Sequence, residues 1–345
     1  MMNLLKKLAA CGLSLTMILS LAACGGTDDT SSGESGGEPV KYLIGISQYG
    51  QHGSLDNCRE GFLQGLEQAG LVEGTDFEVD YQNANFDDNQ ATQIGQMFSA
   101  EDADLMVGIA TNSAIACFNA AEDKDIPVIF TAITDPVGAH LDAGNITGTS
   151  DALNTDAIMN LILAVNPDID TIGLLYDLSQ DASTQAIADA KAFCDSKGIK
   201  YIEKNGTTTA EVQMAAEALI AAGVKAVFTP TDNTVMTAEL SIYETFTEAG
   251  VQHYTGADSF ALNGAFVGYG VDYVQLGEAT ADMVVELLCD GKTPADLPFQ
   301  TFDNGIATIN TETCEALGLD LDTVKKAFAP YCTEVVEVTT AENFN

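Results

Sequence analysis

Beyond residue 40, short apolar runs bounded by turn residues alternate with amphipathic stretches of helical period almost to the end of the chain. The pattern predicts strands over 42–47, 77–82, 105–110 and 128–133, with helices over 55–69, 89–99 and 113–121 between them. Strand and helix in strict alternation make βαβ units, hence an α/β fold with a parallel sheet and right-handed crossovers. After a polar segment over 145–151 the rhythm restarts. It predicts helices over 155–165, 183–196, 210–222 and 235–249, and strands over 171–176, 201–203, 226–229, 253–255 and 266–268. A long amphipathic helix over 276–288 is expected to return to the first half. The expected organisation is therefore two lobes: 40–150 with about 273–310, then 151–272, with 311–345 as a tail packed on both.

The first 39 residues break this pattern. Lys6 and Lys7 precede an apolar run from Leu8 to Ala23, too short for a stable membrane span, so residues 1–23 read as a signal peptide. The run ends in Leu21-Ala22-Ala23-Cys24, similar to the lipobox of bacterial lipoproteins, which makes Cys24 the expected lipidation site. Residues 24–39 are rich in Gly, Ser, Thr, Asp and Glu and cannot bury a core, as befits a flexible linker. The expected location is the outer face of the cell membrane, held by lipid alone. With 51 Asp+Glu against 13 Lys+Arg, the formal net charge is −38, which argues against nucleic acid or an anionic lipid surface as partner.

Catalytic signatures do not occur: the sequence has no GxSxG, HExxH, P-loop or GxGxxG opening a helix, so no enzyme activity and no cofactor are expected. His52, His140 and His253 are far apart, and the cysteines show no zinc spacing, so no metal site is expected either. Cys58, Cys117, Cys194 and Cys289 fall in helical patterns and read as small buried hydrophobes, while a Cys314–Cys332 bridge stays open.

The informative residues, nearly all polar, stand at or just after the ends of the apolar strands, where open α/β sheets present ligand contacts. They are Gln48, His52, Leu55 and Asp56; Thr111, Asn112 and Ser113; Thr131 and Asp135; Tyr176 and Ser183; Thr231, Asp232 and Asn233; and Asp258. Thr111-Asn112-Ser113 opens a helix and suits either a carboxylate or a simple cap; Asp232 and Asp258 suit either an ammonium or a turn.

Ordered blocks along the chain resemble a known family. They include Gln48 to Asp56, Arg59-Glu60-Gly61-Phe62, Ile126 to Phe130, Thr134 to Gly138, Asn145 to Gly148, Thr231 to Thr234 and Gly268 to Tyr273. The family is the type 1 periplasmic binding proteins serving ABC transporters, in its tryptophan- or tyrosine-binding branch. The resemblance implies two Rossmann-like lobes joined by a multi-strand hinge, closing on a small zwitterion and delivering it to an ABC permease with a separate ATPase. It further implies a carboxylate near Thr111 and Ser113, with Asp232, Asn233 and Asp258 orienting the ammonium or closing the clamp. One departure is visible: where relatives often read Glu-x-Asn-Ser, this chain has Gln180-Asp181-Ala182-Ser183. A sugar- or purine-binding protein of the same fold, or a ligand-presenting sensory partner, are the alternatives.

Overall fold

The computed structural model describes residues 41–302 and 305–342. The expected signal peptide, the expected lipidation site Cys24 and the expected linker fall outside the described residues.

In the first half, β1 (Tyr42–Gln48), α1 (Gly53–Gln68), β2 (Phe77–Asn83), α2 (Asp88–Ala100), β3 (Leu105–Ile109), α3 (Thr111–Ala121), β4 (Val128–Thr131) and β5 (Ile146–Ser150) follow one another. The second half continues with α4 (Thr155–Val165), β6 (Thr171–Tyr176), α5 (Asp181–Lys197), β7 (Lys200–Asn205), α6 (Thr209–Ala221), β8 (Ala226–Thr229), α7 (Asn233–Glu248), β9 (Gln252–Thr255), α8 (Asp258–Leu262) and β10 (Val267–Gly270). Then come α9 (Tyr273–Leu288), β11 (Gln300–Thr301), β12 (Ile306–Asn310), α10 (Thr311–Ala316), α11 (Leu321–Phe328) and β13 (Glu334–Val338).

Two sheets form the two lobes. The first has the order β11-β5-β4-β3-β1-β2 and the second β13-β12-β10-β9-β8-β6-β7. All the described pairings are parallel except β10 with β12. Both sheets start in the middle and wind both ways, so each has a switch point where crossovers diverge: between β1 and β3, and between β6 and β8. Such a point leaves a crevice at the strands' carboxyl ends. The chain passes from the first sheet to the second after β5, returns after β10, and crosses again between β11 and β12.

The helix α9 does return to the first lobe. It packs along α1 at a distance only glycine permits: a Cβ on Gly61 would meet Val274 O at 2.1 Å, and one on Gly277 would meet Cys58 O at 2.1 Å. The carboxyl-terminal part differs from expectation. Residues 306–310, assigned to the first lobe from sequence, form β12 of the second sheet, and the expected tail supplies β13 to the same sheet. β5 has no apolar run to announce it. Its sequence ITGTS is nevertheless buried throughout, because Thr147 donates to Leu297 O at 2.7 Å and Thr149 lies 3.0 Å from Thr131 and 2.7 Å from Thr280.

Cys58, Cys117 and Cys194 are buried, and burial pushes the first two thiols up to about 12 and the third to about 11. Cys289 corrects the sequence reading, being exposed just past the end of α9. Cys314 and Cys332 are free thiols facing the carbonyls of Leu319 and Phe328.

Candidate functional site

The two switch points face one another. The loop after β1 carries His52 to the start of α1; the β3–α3 junction brings Ala110 and Thr111; the β8–α7 junction brings Thr231, Asp232 and Asn233. Together with Leu55, Ala132, Thr134, Asp151, Ala182, Met236, Ala257, Phe260 and Tyr273 they enclose a cavity between the lobes. The space not filled by atoms is about 380 Å³, part of it open to solvent, and little of it is wide enough for a water molecule. The lobes stand closed on a narrow slot.

Hydrogen bonds across the slot hold it shut. His52 Nε2 lies 3.1 Å from Asn233 Oδ1, and Thr134 Oγ1 2.7 Å from Thr231 Oγ1. Ser54 Oγ donates to Asp258 Oδ1 at 2.8 Å and lies 2.7 Å from Ser259 Oγ. Each of these pairs joins an element of the first sheet to one of the second, so opening the lobes exposes all seven groups to water.

The electrostatics of the slot are two-sided. α1, α3 and α5 all begin at it with no side-chain cap, leaving their amino-terminal dipole ends directed at its contents. At α3 the capping position is Ala110, held at φ 76° and ψ 157°, a backbone region that disfavours side chains. That conformation ends β3 abruptly and turns the first amides of α3 toward the cavity. Against these positive ends stand carboxylates. Asp151 Oδ2 accepts from Tyr273 OH at 2.8 Å and its Oδ1 from Thr134 at 3.2 Å. Asp232 caps α7 through Val235 N at 2.9 Å and also accepts from Asp177 N and Ser183 Oγ, both at 2.7 Å. Desolvation raises Asp151, and raises Asp232 and Asp258 to about 6, against the hydrogen bonds that favour their charged forms.

Of the residues singled out from sequence, His52, Leu55, Thr111, Thr231, Asp232 and Asn233 line the cavity. Ser183 stands behind it as the donor to Asp232, and Asp258 beside it as the acceptor from Ser54. Gln48 and Asp56 are spent on each other at 2.8 Å and on Arg59 Nη1, at 2.6 and 3.1 Å, an arrangement that fixes the loop bearing His52. Ser113 is bonded to Ser47, Asn112 to Asp88 and Thr131 to Cys58 and Thr149, away from the cavity. Asp135 caps its own turn at Gly138 N, and Tyr176 OH donates to Glu203. Sequence reasoning passed over Asp151, Tyr273, Met236 and Phe260. Asp151 ends a polar run that carries no strand signal, and Tyr273 opens α9 well outside the strand ends that signal a contact. His140 is exposed, and His253 is buried in the second lobe between Glu239 and Thr229.

Two α/β lobes closing on a cavity at paired switch points define a solute-binding protein of the type 1 periplasmic fold. The chain belongs to the ABC transporter substrate-binding protein family, whose sequence profile matches residues 43–329. A tyrosine-binding protein of Clostridioides difficile is 30% identical over 313 residues, 89% of this chain and 90% of the relative. The structure of an ABC domain from Streptococcus pneumoniae in complex with L-Trp is 29% identical, covering 86% of this chain and 100% of that one, with a TM-score of 0.79. A ligand-free, open substrate-binding protein with adhesive properties from Clostridium difficile, 31% identical over 87% of this chain and all of its own, gives 0.66. The family and its relatives are solute-binding proteins rather than enzymes.

Proposed function

We propose that the protein captures an amino acid with a large aromatic side chain between its lobes and hands it to an ABC permease powered by a separate ATPase. One observation carries this reading: a single narrow cavity joins an uncapped helix start at Thr111 to the carboxylates of Asp151 and Asp232, among the apolar Leu55, Met236 and Phe260. An α-carboxylate fits the first and an α-ammonium the second, since charge-assisted bonds satisfy both buried signs at once. The tyrosine- and tryptophan-binding relatives support the aromatic class. Capture proceeds by clamp closure, with the cross-lobe bonds of Ser54, Thr134 and His52 as the latch. A lipid on Cys24 would keep the clamp at the outer face of the membrane; among the described residues no helix is long and apolar enough to cross one.

Calorimetric titration against a panel of amino acids, sugars and nucleosides tests this. An aromatic amino acid is expected to saturate the protein at micromolar concentration or below. Saturation by a sugar or purine with no response to any amino acid overturns the assignment.

A further inference from the structure

One ring nitrogen in the cavity wall has no partner. His52 Nδ1 is buried and makes no hydrogen bond, while Nε2 of the same ring is engaged by Asn233. Which nitrogen carries the proton follows from the Asn233 side-chain amide, which lies between the ring and Gln180. Gln180 Oε1 accepts from Asn233 Nδ2 at 3.2 Å. Asn233 Oδ1 is thereby the acceptor of its second bond, and His52 must donate from Nε2–H. Nδ1 is left with a lone pair.

We infer that His52 Nδ1 is a specificity-determining acceptor, selecting an aromatic amino acid whose ring carries an N–H or O–H donor, a phenol or an indole, over one with a plain hydrocarbon ring. The inference rests on the aromatic amino-acid reading above and narrows it. A buried acceptor left unmade costs free energy, and a site built to hydrogen-bond a ligand group discriminates strongly against the analogue lacking that group. The ring is held for this task. It stacks on Phe86 at 7° with centroids 6.4 Å apart, and Gln48, Asp56 and Arg59 pin the loop beneath it. Burial lowers the imidazole to about 4, which keeps it neutral and accepting at neutral pH.

The test compares two ligand pairs on the whole protein by calorimetry: L-tyrosine with L-phenylalanine, and L-tryptophan with 1-methyl-L-tryptophan. Losing the donor shrinks the ligand in one pair and enlarges it in the other, so steric fit cannot mimic the effect in both. In each pair the donor-bearing ligand is expected to bind about tenfold or more tightly than its analogue. In His52→Phe the ratio should fall to within about threefold, on top of a weakening common to all four ligands from the lost bond to Asn233. Ratios near one in the unsubstituted protein overturn the inference and leave the amino-acid reading standing. Ratios that persist in His52→Phe also overturn it, whatever the size of the loss common to all four ligands. Failure of every aromatic amino acid to bind removes both readings. Should His52→Phe not fold, the ratios in the unsubstituted protein decide alone.

Discussion

Asp232 shows how much a single residue at the cleft must reconcile. It is the amino-terminal cap of α7, accepts three hydrogen bonds and is completely buried, and its carboxyl still sits at about 6 because desolvation outweighs those bonds. A carboxyl raised in the folded state stabilises the protein fully below its ordinary value near 3.8, and that contribution is lost as pH rises through 6. At an upper limit the loss is about 3 kcal/mol. Asp232→Asn keeps an amide cap without the charge, so denaturant melts of ligand-free protein should show the variant gaining on the parent between pH 4 and pH 7. Equal pH profiles would remove the charge from the account. Ligand binding carries the opposite sign. An ammonium favours the ionised carboxyl, so affinity should fall as pH drops from 7 to 5, with protons released on binding near pH 6, as calorimetry in buffers of different ionisation enthalpy would detect. From sequence, Asp232 could be read equally as a cap or an ammonium contact; the structure makes it a cap and also part of the cavity wall. Tyr176 and Asp135 are engaged elsewhere for a physical reason: their position at a strand end is visible in sequence, but the direction of the side chain depends on partners far along the chain, Glu203 in one case, and on the local turn in the other.

At the scale of elements, the α1–α9 contact positions much of the site. α9 brings Tyr273 to Asp151, and α1 begins at His52. Their close approach depends on Gly61 and Gly277, where any side chain would collide with the backbone of the opposite helix. Gly61→Ala should therefore destabilise the protein by about 1–3 kcal/mol through overpacking. It should also weaken ligand binding, because Tyr273 moves with α9; a thermal melt and a titration of the same sample read both. An unchanged melt would mean that the helices can separate without cost. The strongly periodic helices and apolar strands, α1, β3, α7 and α9 among them, were legible because burial of a periodic face dictates them. β5 was not, since its burial is satisfied by threonine hydroxyls rather than apolar groups. β12 was placed in the wrong lobe because the only antiparallel pairing among the described strands, with β10, is a long-range contact with no local signal.

For the whole molecule, the closed slot confines raised carboxyls and an imidazole nitrogen with no protein partner. Opening relieves these groups, and a zwitterion relieves them in the closed form, so ligand shifts the population toward closure by its differential affinity for that state. X-ray scattering should show the radius of gyration falling as ligand is added. The proposed lipid tether is a separate matter: if Cys24 carries it, Cys24→Ala should release the protein from membranes in cell fractionation while leaving ligand affinity unchanged. The two-lobe rhythm was plain in the sequence, whereas the cavity's chemistry emerged only once two switch points were brought face to face. The central claim, that an aromatic amino acid lies between those switch points, is tested most directly by diffraction from crystals grown with L-tyrosine or L-tryptophan. The account predicts density for the ligand with its carboxylate at the start of α3, its ammonium against Asp151 and Asp232, and its ring donor at His52. Density for either ligand only on the outer surface of a lobe, or an empty cleft at saturating ligand, would contradict it.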